Sequence, residues 1–245
     1  MLLSDGVFRR HIVFGPGETD AFGRVDGRAI LRRFQEIAGA HFDSLAMGRS
    51  AAAENGCFWA AVRTGLEIGV LPSPGAGLFL DTWPGRQGHG IYMRHYLLRD
   101  EAGGELLRGL SSWVLMDAAT RSLAARRDWI GSLEAVSLPG EMRGIPRCRM
   151  PERLPESGLR TVTAAETDVN GHMNNAEYYR WGADLLPEDY AGRHSLRRMA
   201  IDYKKEMIQG QTAELRWLLE DDVLSLRGAV DGKETFTLRC EYDPI

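Results

Sequence analysis

Apolar residues recur at intervals of three and four after residue 28, and this pattern predicts an amphipathic helix over Arg28–Met47. The residues of its apolar face are Ile30, Phe34, Ile37, Ala38, His41 and Leu45. Asp26 is the expected N-cap of this helix, and Gly48 is its expected C-terminal end. A second helix is predicted over Asn175–Leu186, because Pro187 cannot continue it.

Short runs rich in aromatic, leucine and β-branched residues, separated by Gly, Pro and Asp, predict antiparallel strands around both helices. The predicted strands are Phe8–Phe14, Cys57–Ile68, Gly77–Trp83, Gly90–Arg99, Glu105–Asp117, Leu159–Ala165, Leu196–Tyr203, Thr212–Glu220, Val223–Val230 and Glu234–Tyr242. An amphipathic helix can bury its apolar face in the concave side of a curved sheet. The pattern therefore predicts the α+β class, with domains over 1–138 and 159–245 and a proline-rich linker over 139–158.

A carboxylate, an amide and an imidazole are concentrated in Asp168-Val-Asn170-Gly-His172, just before the second predicted helix. Alternation places these three side chains on one side of an extended or loosely turned chain. Together they can orient a carbonyl, hold a water molecule and move a proton. Asn174 and Glu177 predict a capping box, whose N–H groups would favour a developing oxyanion. The alternative from residue types alone is a turn and a cap without chemistry.

The first half contains a second version of this segment. Glu18–Asp26 aligns without gaps on Glu166–Asn174, and Glu, Thr, Asp and Gly recur in place. Phe22 and Arg24 stand where the second copy has its amide and imidazole. A turn alone would not need those two groups in only one copy. The asymmetry therefore favours one active site per chain, in the second half of a duplicated protein.

Composition restricts the class of protein. The chain has 245 residues, 44% of them hydrophobic, and a formal net charge of −4, which argues against a nucleic-acid partner. Cys57, Cys148 and Cys240 are widely spaced and form no CxxC motif, which is typical of reduced thiols. The chain shows neither a signal-peptide pattern nor an apolar run of membrane-spanning length. We therefore expect a cytoplasmic protein without membrane insertion, and neither a metal nor a cofactor.

Two segments resemble those of a known family. Asp168–Asn175 and Leu196–Met207, together with the duplicated plan, resemble the acyl-ACP thioesterases, which are plant plastid enzymes and their bacterial relatives. Trp83-Pro84 and Ser111–Asp117 are similar to further family segments, so the resemblance covers nearly the whole chain in order. It implies two tandem hot-dog domains, each a long helix wrapped by a curved antiparallel sheet. It also implies hydrolysis of fatty-acyl thioesters on acyl carrier protein (ACP) in fatty acid biosynthesis.

Carried over residue by residue, the resemblance implies a catalytic set of Asp168, Asn170, His172 and Glu206. Glu206 would act as general base or orient the attacking water. His172 and Asn170 would bind that water or the thioester carbonyl, and Asp168 would orient them. Met207 stands where plant members have a Cys, so we do not expect a thiol mechanism.

The expected substrate-binding residues come from both halves of the chain. They are Asn174 and Asn175 at the start of the second helix, and Phe34, Ile37, His41 and Trp59 in the first domain. The residues of the first domain would shape the acyl pocket.

A basic stretch adjoins the predicted site in sequence. Its cations are Arg193, Arg197, Arg198, Lys204 and Lys205, and Asp202 is its acid, so residues 193–205 carry a local charge of +4. Because the resemblance implies an acidic carrier protein, this stretch is a candidate docking surface. The alternative is a solvated basic face without a partner.

Three other functions stay open at this stage. An acyl-CoA thioesterase would use the same chemistry with a different carrier. A hot-dog dehydratase would eliminate water from a 3-hydroxyacyl group, and a non-catalytic protein would only bind acyl chains. Acyl chain length and assembly into a homodimer also stay open.

Overall fold

The computed structural model describes residues 6–125, 128–131, 135–138 and 141–245. The chain forms two compact units. Unit 1 comprises the described residues up to Thr64 and those between Gly69 and Gly144, and unit 2 comprises Gly65–Ile68 and Ile145–Ile245. Pro139 and Gly140, with which the predicted linker begins, lie outside the described residues.

Unit 1 combines a long helix with antiparallel strands. Its elements are β1 (Phe8–Ile12), α1 (Gly27–Ser44), α2 (Arg49–Glu54), β2 (Cys57–Ile68), β3 (Leu78–Gly88), β4 (Ile91–Asp100) and β5 (Glu105–Asp117), the last four residues of β2 being counted with unit 2. The strand order is β1-β3-β4-β5-β2, and the pairs β1–β3, β3–β4 and β4–β5 are antiparallel. The strands β2 and β5 have the predicted bounds.

Unit 2 repeats this plan with a shorter helix. Its elements are β6 (Glu156–Thr161), α3 (Glu177–Ala183), α4 (Glu188–Ala191), β7 (His194–Tyr203), β8 (Thr212–Glu220), β9 (Val223–Val230) and β10 (Lys233–Pro244). The strand order is β7-β10-β9-β8-β6, and every neighbouring pair is antiparallel. The strands β8 and β9 have the predicted bounds, whereas β6 begins inside the segment predicted as linker. None of the described helices combines the length and apolar character needed to cross a membrane.

Helix α1 begins as predicted and ends early. The Asp26 carboxylate accepts from the Arg28 N–H at 3.0 Å, which confirms the predicted N-cap. The helix ends at Ser44, three residues before the predicted end, because Ala46 takes a left-handed φ of 54°. Gly48 is not the C-terminal end of α1 but the N-cap of α2, so that part of the prediction was wrong.

Helix α3 has seven residues, so the expectation of a long second helix was wrong. It begins at Glu177 with Ala176 as N-cap, and the N–H of Asn174 is occupied by the Glu166 carbonyl at 2.8 Å. The predicted Asn174 cap therefore lies two residues before the N-cap of the regular helix, and its side chain accepts from the Ala176 N–H. At the other end, the next residues form tighter i to i+3 bonds, and Pro187 has no N–H with which to continue the helix.

Two glycines provide a test of the packing of α1. Gly109 on β5 is buried, and a Cβ there would overlap the Phe34 ring. Gly39 lies on the exposed side of α1, and a Cβ there would have no neighbour within 4 Å. We expect Gly109→Ala to lower the free energy of unfolding by about 1–3 kcal/mol, because Phe34 must shift. We expect Gly39→Ala to raise it by about 0.5–1 kcal/mol through helix propensity. Urea unfolding measures both, and unchanged stability of Gly109→Ala would contradict this packing.

Candidate active site

A hydrogen-bonded loop carries the polar triplet of the second half. The Asp168 N–H donates to the His172 carbonyl at 2.7 Å, and Gly171 turns the chain with a φ of 76°. The Asp168 carboxylate accepts from the N–H groups of Asn170 at 2.7 Å and His172 at 3.3 Å. The exposed Asn170 amide also donates to this carboxylate, at 3.4 Å. Asp168 therefore fixes the positions of the two residues with which it was predicted to act.

The segment after β7 brings Glu206 to this loop. The Met173 N–H donates to the Met207 carbonyl at 2.7 Å, and His172 forms a β-bridge with Ile208. These contacts leave 3.6 Å between His172 Nδ1 and Glu206 Oε1. The two side chains are 23% and 34% exposed, so a water molecule or a substrate can reach both. An imidazole and a carboxylate from distant parts of the sequence thus face each other at an accessible position.

Asn174 and Asn175 link the loop to the start of α3. The Asn174 side chain accepts from the Ala176 N–H at 3.0 Å. The Asn175 carbonyl accepts from the Tyr203 hydroxyl at 3.0 Å, which connects the loop to the end of β7. Both contacts hold the loop against its neighbours, and a role in substrate binding stays a prediction.

Glu166 anchors the other end of the loop. Its carboxylate accepts from Trp181 Nε1 at 2.8 Å, Arg160 Nη2 at 3.1 Å and the Thr163 N–H at 2.9 Å. Burial acts to raise the pKa of Glu166, but these hydrogen bonds and the Arg160 charge hold it below its ordinary value. The sequence analysis missed this role, although the recurrence of this acid as Glu18 in the first copy could have pointed to it.

Tyr178 lies under the site and was also missed. Its ring packs edge-on against Tyr203 at 5.3 Å and against Phe236 at 4.9 Å. Burial, with an added contribution from Asp168, raises the pKa of the Tyr178 phenol against the opposing hydrogen bond of the Met207 backbone. The phenol is therefore neutral near pH 7. It lies close to both segments that form the site, the Asp168 loop and the segment that carries Met207.

Two models of known protein families match most of the chain. The family model described as "Acyl-ACP thioesterase N-terminal domain" matches residues 6–130, and the "Acyl-ACP thioesterase C-terminal domain" matches residues 156–237. The chain belongs to the acyl-ACP thioesterase family. The oleoyl-acyl carrier protein thioesterase 1 of Arabidopsis thaliana is 27% identical over 169 residues, which is 64% of this chain and 46% of that protein. The chain spans about half the length of the curated relatives that it matches.

Solved structures show the same fold for this family member. An acyl-ACP thioesterase from Bacteroides thetaiotaomicron superposes with a TM-score of 0.88 at 18% identity, covering 97% of this chain and 98% of that one. The 12:0-ACP thioesterase from Umbellularia californica superposes with a TM-score of 0.85 at 21% identity, covering 99% of each chain. These similarities confirm the predicted α+β fold of two tandem hot-dog domains.

The first copy of the loop has the same backbone scheme without the same chemistry. The Asp20 carboxylate accepts from the N–H groups of Phe22 and Arg24, both at 2.9 Å, as Asp168 does in the second copy. The Arg24 guanidinium then pairs with Asp20 at 2.7 Å and lies 4.9 Å from the Phe22 ring centroid. Phe22 and Arg24 thus replace the amide and the imidazole of the second copy, and the Asp20 carboxylate is ion-paired within its own loop.

The predicted acyl-pocket residues lie in unit 1. Phe34, Ile37 and His41 are buried on α1, and Trp59 is half-buried on β2. His41 Nδ1 lies 3.0 Å from Arg94 Nη1, and burial together with the Arg94 charge lowers the pKa of His41 to about 4. His41 is therefore neutral near pH 7 and can accept a hydrogen bond from the buried guanidinium. A role for these residues in the acyl pocket stays a prediction.

The predicted basic stretch is largely compensated by carboxylates. Its ion pairs are Arg193–Asp189, Arg197–Glu241, Arg197–Asp243, Arg198–Glu67, Arg198–Glu241 and Lys204–Glu234. Lys205 is exposed. A paired cation contributes less to the attraction of an anionic partner. The stretch thus has less free charge than its sequence indicates, and its role in docking stays a prediction.

Proposed function

We propose that this chain hydrolyses fatty-acyl thioesters of ACP and releases free fatty acid, within fatty acid biosynthesis. The observation that carries the proposal is the accessible pair of His172 and Glu206, 3.6 Å apart, in a member of the acyl-ACP thioesterase family. An imidazole facing a carboxylate can hold a water molecule and accept its proton.

In the proposed reaction, a water oxygen attacks the thioester carbonyl carbon while Glu206 accepts a proton from that water. His172 holds the water or the carbonyl oxygen. The tetrahedral intermediate then collapses, the carbon–sulfur bond breaks, and the departing thiolate of the phosphopantetheine arm takes up the proton that Glu206 had accepted, which restores the carboxylate. Asn170 is exposed next to His172 and can donate its amide hydrogen to the oxyanion. Asp168 acts as a positioning residue, since its carboxylate holds the backbone of both.

A substrate series tests the proposed function. In a series of acyl-ACPs from short to long chains, we expect at least one to release fatty acid. Its kcat/KM should be higher than that of the corresponding acyl-CoA. 3-Hydroxyacyl-ACP should yield the free hydroxy acid and no enoyl product, which distinguishes hydrolysis from dehydration. Absence of release from every acyl-ACP in the series would overturn the proposal.

A cysteine-free variant tests whether water is the nucleophile. Cys57, Cys148 and Cys240 are buried, and burial raises the pKa of the Cys240 thiol well above its ordinary value. Met207, where a thiol mechanism would need a Cys, is fully buried and cannot form a thiolate. We expect the variant with all three cysteines replaced by Ala or Ser to keep its kcat once it is shown to be folded. An acyl-enzyme trapped on any cysteine of the unmodified protein would contradict attack by water.

Three buried free thiols are typical of a reducing compartment, and we propose the cytoplasm as the site of the reaction. Fractionation of cells that express the chain, followed by thiol labelling of the unfolded protein, tests this. Recovery of oxidised cysteines would place the protein elsewhere.

A further inference from the structure

The segment at the start of the long stretch of unit 2, residues 145–155, presents uncompensated positive charge. Residues 145–155, which we call the connector, contain Arg147, Arg149 and Arg153, all three exposed, and a single acid, Glu152. Within the part of the chain that the structure describes, none of these arginines has a carboxylate within 4 Å, in contrast to most cations of β7. The connector therefore carries free positive charge where β7 does not.

Buried residues and a hydrogen bond to β7 anchor the connector to the rest of unit 2. Cys148 and Leu154 are buried, and Cys148 Sγ donates to the Ala200 carbonyl of β7 at 3.1 Å. With Cys148 turned inward, Arg147 and Arg149 on either side of it are exposed. Three prolines, at positions 146, 151 and 155, restrict the backbone between these anchors. Arginines on a restrained segment lose less conformational entropy when they bind a partner.

The anchor point lies on the strand that leads to the candidate active site. Ala200 precedes Glu206 by six residues, and six extended residues span at most roughly 20 Å. A partner docked on the connector would thus remain near enough for a long prosthetic arm to reach His172 and Glu206. The distance along β7 fits a substrate that is carried on a flexible arm by a second protein.

The sign of the charge identifies the kind of partner. The chain has a formal net charge of −4, so an acidic partner is repelled at long range unless a local positive surface guides it. We propose that Arg147, Arg149 and Arg153 form the docking surface for the acidic carrier protein that delivers the acyl thioester. This inference rests on the proposed function, and it moves the docking surface from the compensated stretch 193–205 to the connector.

The test compares two variants that lose the same charge. R147Q/R149Q/R153Q removes the connector arginines, and R49Q/R86Q/R216Q removes three exposed arginines elsewhere that also have no carboxylate partner among the described residues. Binding of fluorescently labelled holo-ACP is measured by anisotropy at low and high salt. For each variant, kcat/KM is then measured with acyl-ACP and with the corresponding acyl-pantetheine thioester, which has the arm without the protein.

We expect the connector variant to bind holo-ACP about 10-fold more weakly at low salt, with a flatter dependence on ionic strength. The ratio of its kcat/KM for acyl-ACP to that for acyl-pantetheine should fall by about the same factor, because the variant loses only its contacts with the carrier protein and keeps those with the arm. The control variant should keep both values within roughly two-fold of the parent.

Equal carrier binding by the connector variant and the control would overturn the docking proposal. So would an equal loss of affinity for a DNA oligonucleotide, since that would indicate a surface for polyanions in general. Failure of the proposed function looks different: the parent chain would bind holo-ACP through the connector yet release no fatty acid from any acyl-ACP.

Discussion

Replacement of Glu206 by Gln should lower kcat for acyl-ACP by about 10²–10⁴-fold, because general-base assistance contributes that much to a hydrolytic step. Gln keeps the shape of the side chain but cannot accept a proton from water. His172→Ala should lower kcat by a similar factor, since the reacting water or carbonyl loses the imidazole that holds it 3.6 Å from the Glu206 carboxylate. Because the two residues act as a unit, the double variant should be little slower than either single variant.

Rapid-quench measurement of fatty acid release under single-turnover conditions separates this chemical step from binding. Glu214→Gln is the matched control, because it makes the same chemical change at an exposed acid on β8. Full activity of Glu206→Gln, or independent losses that multiply in the double variant, would show that the pair is not the catalytic unit.

Asp168→Ala should lower kcat by about 10²-fold, whereas Asp20→Ala should leave kcat nearly unchanged. Each carboxylate accepts two backbone N–H bonds in its own loop, so each substitution removes the same local support. Only the second loop carries His172, and a shift of about 1 Å in a catalytic group can cost that factor. The two variants are therefore controls for each other.

Stability measurements complete the comparison. Both substitutions should lower the free energy of unfolding by about 1–3 kcal/mol, since both remove two hydrogen bonds between a carboxylate and the loop N–H groups. Asp20→Ala also loses its ion pair with Arg24, so it should be no more stable than Asp168→Ala. An equal loss of kcat in both variants, with both folded, would contradict the single active site in unit 2.

Local patterns in the sequence were sufficient for most of the secondary structure. The bounds of β2, β5, β8 and β9 were predicted correctly, because runs rich in apolar residues and bounded by turn residues such as Gly and Asp leave few alternatives. Asp26 was recognised as a cap because its hydrogen bond spans only two residues. The duplicated loop was visible for the same reason, since Asp and Gly at fixed spacing determine its turn in both copies.

Other features depended on contacts that no local pattern contains. Helix α1 ends early because Ala46, at a position that no glycine marks, takes a left-handed φ of 54°, and α3 has only seven residues because tighter i to i+3 bonds follow it. The charge of residues 193–205 was overestimated, because Glu241, Asp243 and Glu67 come from other strands. Counting charges along the chain cannot reveal such partners.

The candidate site depends on both local sequence patterns and long-range contacts. The loop of Asp168, Asn170 and His172 follows from the local sequence, because carboxylate-to-backbone bonds across two and four residues form it. Glu206 was named only through the family resemblance. Its position opposite His172 depends on the fold of unit 2, since that position requires the Met173–Met207 hydrogen bond between two distant segments. A long-range bond of this kind depends on the packing of the whole unit, and no short stretch of residues encodes it.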